Sequence, residues 1–342
     1  MIPYRTRNLL RKLVVTGLAL LLIAAALLLC WFLWLNRFVI YTQGGAMLDF
    51  GLSPEISAGQ QAEPQEPMET VDIYYNEGEN AILPETTELT QLSGVCITGQ
   101  MLTENFENVQ KYVSTLPAET PVLLDVKNIR GEFYYTTTLG KQSKQIEPQQ
   151  MDALIASLQQ TGRYLIARLP AFRDYWFGRY NVPSGLAEKG KGGALWMDNG
   201  CYWLDPTAEG TQFYLVNIAR ELHGMGFDEV VYYDFRFPST DKIVFDGDKE
   251  KAIADAAAAL ATACATEKLC ISFEVDNPEF PLPVGNCRVY LRDVAAENID
   301  TVAQLVPTDH AALHVLFYVT SSEASDTRFE KYSALRPLES AR

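Results

Sequence analysis

The chain has 342 residues, 48% of them hydrophobic, and a formal net charge of −15 from 28 Lys and Arg against 43 Asp and Glu. That length supports one large core, and the acidic balance excludes nucleic acid as a partner, because holding phosphates needs a basic surface. A polyanionic wall polymer is repelled on average as well, although a local patch can override the mean.

Residues 1–12 contain Arg5, Arg7, Arg11 and Lys12 and no acid, and residues 13–35 follow without a charge. At about 1.5 Å per residue such a run crosses a hydrocarbon core of about 30 Å. A cleaved signal peptide would have a shorter apolar core and a small-residue cleavage site. Cys30 also lacks the small neighbour expected beside a lipoprotein cysteine. The expectation is therefore a single-pass signal anchor, with the basic N-terminus cytoplasmic and everything after Asn36 outside the cell membrane. All 43 acids but only 24 of the 28 basic residues lie beyond the span, so 24 minus 43 leaves the exported part at −19. Residues 36–90 read as an acidic, Pro- and Gln-rich extracellular tether, with some strand character at 71–83. Residues 91–342 read as one domain. Its five cysteines (Cys96, Cys201, Cys264, Cys270, Cys287) are odd in number and form no CxxC pair, so a disulfide scaffold is not expected. Cys96 and Cys270 sit in apolar runs as small buried hydrophobes.

Within that domain, strands are predicted at 94–98, 122–126, 164–168, 229–234, 269–275, 288–291 and 314–319. Helices are predicted at 105–114, 149–161, 210–225, 249–266 and 295–305. Such alternation argues for a parallel α/β architecture. Seven strands are visible rather than eight, so length is what favours a barrel over a doubly wound sheet. No cofactor is expected, because no dinucleotide fingerprint or phosphate loop appears. The run Lys189, Gly190, Lys191, Gly192, Gly193 lacks the terminal Lys-Ser or Lys-Thr of such a loop. His310 and His314 have the i, i+4 spacing of a metal pair beside Asp309, but His314 opens a strand-like segment on which the two do not converge, so no metal site is expected. His223 reads as a packing or polar-face residue.

The strand at 229–234 carries the strongest functional signal. Pleating groups Val230, Tyr232 and Asp234 on one face and Val231, Tyr233 and Phe235 on the other. Asp234 stands at the carboxyl end, where (β/α)₈ barrels keep their chemistry. The alternatives are a carboxylate that pairs with Arg236 or caps the following turn. Asp125 ends another apolar strand, either as a supporting or substrate carboxylate or as the ion-pair partner of Lys127 or Arg168. Arg168 could hold a carboxylate in register or bind substrate hydroxyls through its planar fork, or it forms a buried structural ion pair. Between residues 169 and 204, Phe172, Tyr175, Trp176, Phe177, Tyr180, Trp196, Tyr202 and Trp203 crowd a long loop that would lie on the rim. Most read as packing, and Trp176 and Trp196 are the candidates for stacking on a flat apolar face of a substrate.

Several segments in order carry a resemblance: residues 93–99, 124–127 followed by Gly131 and Tyr134, 166–174, 203–206 and 226–238. Together they resemble a bacterial domain family of glycoside-hydrolase type, TIM barrels related in general plan to amylase-like enzymes. The most specific match is the strand that begins Gly226-Phe-Asp-Glu and ends with Asp234 and Arg236-Phe-Pro. The resemblance implies a TIM (β/α)₈-like barrel that acts on carbohydrate, and a role for Arg236 in orienting Asp234 and keeping it ionised. Glu274 falls where the family usually carries Asp. Beyond Asp276 the family's Met and Tyr-Pro-Ser-His element is not reproduced, so the last third is expected to be a shortened or divergent half-barrel. Glycoside hydrolysis uses two carboxyl groups, one donating a proton and one ionised. By analogy with amylase-like barrels Asp234 would be the nucleophile and Glu274 the acid/base, unless Glu274 is only a surface residue at a strand end. The expected function is hydrolysis of a polysaccharide or cell-envelope glycan. Two rivals stand beside it: a glycan-binding module without turnover, and an envelope scaffold or sensor that engages a protein.

Overall fold

The computed structural model describes residues 39–42, 45–48, 89–319 and 326–338. The expected membrane span at 13–35 and the strand-like stretch at 71–83 lie outside the described residues. Among the described residues no helix is long and apolar enough to cross a membrane. The chain divides into two compact units, Met1–Gly78 and Glu79–Arg342. In the first, Val39–Thr42 pairs antiparallel with Gly45–Leu48.

The second unit is a closed barrel of eight parallel strands: β1 (Ser93–Ile97), β2 (Val122–Asp125), β3 (Leu165–Pro170), β4 (Glu229–Tyr233), β5 (Cys270–Glu274), β6 (Val289–Arg292), β7 (Val315–Tyr318) and β8 (Ser333–Pro337). Each strand pairs with its neighbours in sequence, and β8 closes the ring on β1 through Leu335 opposite Gly94. All seven predicted strands are present. The eighth, Ser-Ala-Leu-Arg-Pro, has too little apolar content to register as a strand, and it corrects the expectation of a shortened last third.

The crossovers hold α1 (Gly99–Glu104), α2 (Phe106–Thr115), α3 (Pro148–Gln160), α4 (Tyr175–Tyr180), α5 (Glu209–Gly224), α6 (Lys249–Cys264), α7 (Ile299–Leu305) and α8 (Ala311–His314). Their starts are written locally. The Asn105 side chain accepts from the Asn108 N–H at the start of α2, Asp248 accepts from Glu250 and Lys251 at α6, and Pro148 opens α3.

Alternate strand residues fill the lumen. Cys96, Leu123, Ile166, Val231, Tyr290, Leu316 and Leu335 form one cluster there, while Val230, Tyr232 and Phe273 face the helices in a larger one. A polar group sits at the amino-terminal end of the lumen. Glu229 pairs with Arg288 and also accepts from Ser272, Tyr164 and Tyr290. Every oxygen of this buried carboxylate has a partner, as burial of a charge requires. All five cysteines of this unit are free and buried.

Candidate active site

The carboxyl ends of β2, β3 and β5 meet through one guanidinium. Arg168 on β3 donates from Nε to Glu274 Oε2 at 2.6 Å, from Nη2 to Glu274 Oε1 at 3.1 Å, and from Nη1 to Asp125 Oδ1 at 2.8 Å. The second Asp125 oxygen accepts from the Gly99 N–H at 2.8 Å. Below, Arg168 lies 4.2 Å from the centre of the Tyr233 ring and 5.1 Å from that of Tyr318. Burial alone would lower the Arg168 pKa, but the Asp125 and Glu274 carboxylates outweigh it and hold the group well above its ordinary value. Burial, with Asp125 adding to it, likewise pushes the Tyr233 hydroxyl up, so it stays neutral. Asp125 thus pairs with Arg168. Lys127 turns the other way, to a fully buried ion pair with Asp174 at 2.7 Å.

Asp234 follows β4 with φ +50, in the left-handed region that Asp tolerates better than most residues. This single residue breaks the strand's alternation. Phe235, expected on the face of Tyr233, instead packs with Tyr232 and lies 4.5 Å centre to centre from Phe273 on the helix-facing side. Asp234 is freed from the pleat and lines a cavity of about 1200 Å³ together with Glu274, Arg173 and Arg236. Its oxygens lie 3.4 Å from Arg173 Nη1 and 3.8 Å from Arg236 Nη2. Arg236, on the exposed side, also reaches Asp276 at 3.4 Å. Both guanidiniums rest against Trp203, at 5.6 Å for Arg173 and 5.3 Å for Arg236.

The structure therefore brings together Asp234, Glu274, Arg236, Arg168 and Asp125 at the mouth. Sequence reasoning missed Arg173, which approaches Asp234 more closely than Arg236 does and whose buried Nε has no hydrogen-bond partner among the described residues. Its signal was its place in the matched segment 166–174, three residues past β3. Trp176 stands apart from the mouth. It lines a second cavity of about 570 Å³, with Lys141 Nζ 3.6 Å from its ring centre and Tyr180 nearly parallel at 6.0 Å. Trp196 lines neither cavity and packs against the main core. His314 Nδ1 meets the Cys287 carbonyl oxygen at 2.8 Å, and His223 Nδ1 meets the Phe227 carbonyl oxygen at 3.2 Å.

No protein of curated function matches the chain. Among solved structures, a hypothetical protein from Ruminiclostridium thermocellum is 23% identical, over 53% of this chain and 96% of that one, with a TM-score of 0.44. The glycoside hydrolase domain of PelA from Pseudomonas aeruginosa is 13% identical, over 73% and 95%, with a TM-score of 0.42. The glycoside hydrolase domain of PgaB from Bordetella bronchiseptica is 9% identical, over 72% and 94%, with a TM-score of 0.52. At this identity the last likeness is one of fold, and it agrees with the closed barrel. The sequence pattern of one family, described as "putative glycosyl hydrolase domain", matches residues 94–275. That span is just over half the chain and runs from β1 to the residue after Glu274, so this protein belongs to that glycosyl hydrolase domain family.

Proposed function

We propose that the barrel hydrolyses a glycan at its carboxyl-end mouth, and that the chain is held at the cell membrane by residues 13–35 with the barrel outside. The observation that supports the chemistry is that Asp234 and Glu274, at the ends of adjacent parallel strands, line one cavity with two guanidiniums. In this reading Asp234 is the nucleophile at the anomeric carbon and Glu274 protonates the leaving oxygen. Arg173 and Arg236 orient Asp234, and Arg168 with Asp125 fixes the position of Glu274. Two carboxyl groups suffice for the reaction, and it calls on no cofactor. The substrate is a polysaccharide or cell-envelope glycan.

A second reading has a specific observation behind it. Both Glu274 oxygens accept hydrogen bonds from Arg168, so neither is presented as a proton donor until one swings away. A barrel that binds glycan without turnover would keep that arrangement. The discriminating measurement is hydrolysis of a panel of cell-wall and plant polysaccharides by the full chain, beside Asp234→Asn and Glu274→Gln. Turnover abolished in both variants, with folding retained, supports the glycosidase. Binding with no turnover in the wild type supports the second reading.

A further inference from the structure

Two arginines with no carboxylate partner among the described residues converge on one ring. The Arg130 guanidinium lies 5.4 Å from the centre of Tyr175 and that of Arg179 lies 5.8 Å from it. Arg179 Nη1 donates to the Tyr175 hydroxyl at 2.6 Å, and the Trp176 N–H donates to the Arg130 carbonyl oxygen at 3.1 Å, tying the loop after β2 to α4. Both side chains belong to exposed residues. Each guanidinium is attracted by the face of the ring, and among the described residues no Asp or Glu forms an ion pair with either, so the two make a local basic patch in a chain with a net charge of −15.

The position of this pair is as informative as its charge. Ile129 lines the large cavity that holds Asp234, and Gly131 lines the smaller one beside Trp176. Arg130 is the residue between them, so in the chain it links the lining of one cavity to that of the other. Residues two apart in the chain are at most about 7 Å apart at their Cα atoms. Arg179 precedes Tyr180, which also lines the smaller cavity. That cavity has no Asp or Glu in its lining and contains Lys141. The large cavity, by contrast, carries Asp234, Glu274 and other acids. Packed aromatic rings connect the two regions: Trp176 meets Tyr175 edge-on at 5.1 Å, and Tyr175 stacks on Tyr202 at 5.6 Å. The next residue, Trp203, lies under Arg173 and Arg236.

We infer that Arg130 and Arg179 form a clasp for an oxyanion carried on a sugar, and that the substrate is an acidic polysaccharide whose chain runs from the smaller cavity past the clasp to the Asp234 mouth. This deepens the proposed carbohydrate activity and rests on it. Planar guanidinium forks suit carboxylate or sulfate, which they can hold through paired hydrogen bonds. The negative charge of the whole chain does not oppose this. Its field is screened over about 8 Å at physiological salt, while the clasp acts in direct contact.

The test is calorimetric titration of the full chain, purified in detergent, with polygalacturonate, its methyl-esterified form, dextran sulfate and unmodified dextran. Within a pair the backbone is constant and the charge is removed. Carboxylate as the recognised group predicts at least tenfold tighter binding of polygalacturonate than of its ester. Sulfate predicts the same preference for dextran sulfate over dextran. In either case Arg130→Gln with Arg179→Gln should weaken binding of the preferred polymer by about tenfold or more, as expected for lost charge-assisted hydrogen bonds. The thermal midpoint should not move, since both residues are exposed. Equal binding of charged and uncharged polymers, or unchanged affinity in the double variant, overturns the clasp and leaves the carbohydrate reading standing. Binding to none of the four overturns the clasp, while turnover on the polysaccharide panel decides the carbohydrate reading separately.

Discussion

Arg168 donates to both oxygens of Glu274 while its remaining terminal nitrogen donates to Asp125, so one guanidinium on β3 neutralises carboxylates from β2 and β5. All three side chains are almost fully buried, at 6%, 12% and 13% exposure. Removing the cation leaves two largely buried carboxylates without the charge that offsets them. Arg168→Met is expected to destabilise the barrel by about 3–5 kcal/mol, the usual cost of breaking a buried pair from one side. Arg168→Lys should recover only part of this, because an ammonium cannot serve Glu274 with two parallel bonds. Urea unfolding midpoints measure both. A midpoint in Arg168→Met equal to wild type would show that the bridge carries no stability.

The backbone at Asp234 allows loss of charge to be separated from loss of shape. Asn shares the tolerance of Asp for φ +50, so Asp234→Asn should hold stability within about 0.5 kcal/mol while removing turnover. A β-branched residue does not tolerate that φ, and Asp234→Val should cost about 1–3 kcal/mol. Thermal denaturation beside activity on the same samples checks the pair. An Asp234→Asn protein as active as wild type would remove Asp234 from the chemistry.

Gly131 has φ +76, and a Cβ built there would lie 1.9 Å from Asp174 Oδ1. Asp174 cannot give way freely. It pairs with buried Lys127, accepts from the Tyr214 hydroxyl at 3.0 Å and caps α4 through the Phe177 N–H at 2.7 Å. Gly131→Ala should therefore disturb a buried ion pair and a helix cap together, with a loss of several kcal/mol. A thermal midpoint within a degree of wild type would contradict this.

Burial pushes the thiols of Cys96 and Cys287 up to about 12 and that of Cys264 to about 11, from an ordinary value of 9.0. A group raised on folding contributes stability that is fully present below its unfolded value and is lost as pH rises through its folded value. Stability should therefore be level up to about pH 9 and fall between about 9 and 12. The buried hydroxyls of Tyr232 and Tyr290, also raised by burial, act in the same direction. At pH 8 none of the five buried cysteines should react with iodoacetamide in the folded chain, and all five should react in urea. Peptide mapping reads this directly, and fast labelling of any of them without denaturant would show that the site opens.

Alternation of apolar runs with helix-forming stretches was legible over most of the barrel, because each element writes its own period. The strand at Ser333–Pro337 was not legible. Only Ala334 and Leu335 are apolar there, and its strand character comes from pairing with β7 on one side and β1 on the other. The face of Phe235 was misread for a related reason. Periodicity assumes an unbroken pleat, and the left-handed residue at Asp234 breaks it.

The sequence by itself determined the class of fold, the starts of the four longest helices to within a residue and the placement of Asp125, Asp234 and Glu274 at or beside strand ends, since these depend on neighbours within a few residues; Arg168, expected to end its strand, lies inside one that runs on to Pro170. Only the tertiary structure decided their partners. Arg168 meets Asp125 and Glu274 across separations of 43 and 106 residues, and Arg173 meets Asp234 across 61. Such pairs are set by strand register and by closure of the ring, which bring chain-distant charges within hydrogen-bond reach in a low-dielectric mouth. No local pattern encodes that distance.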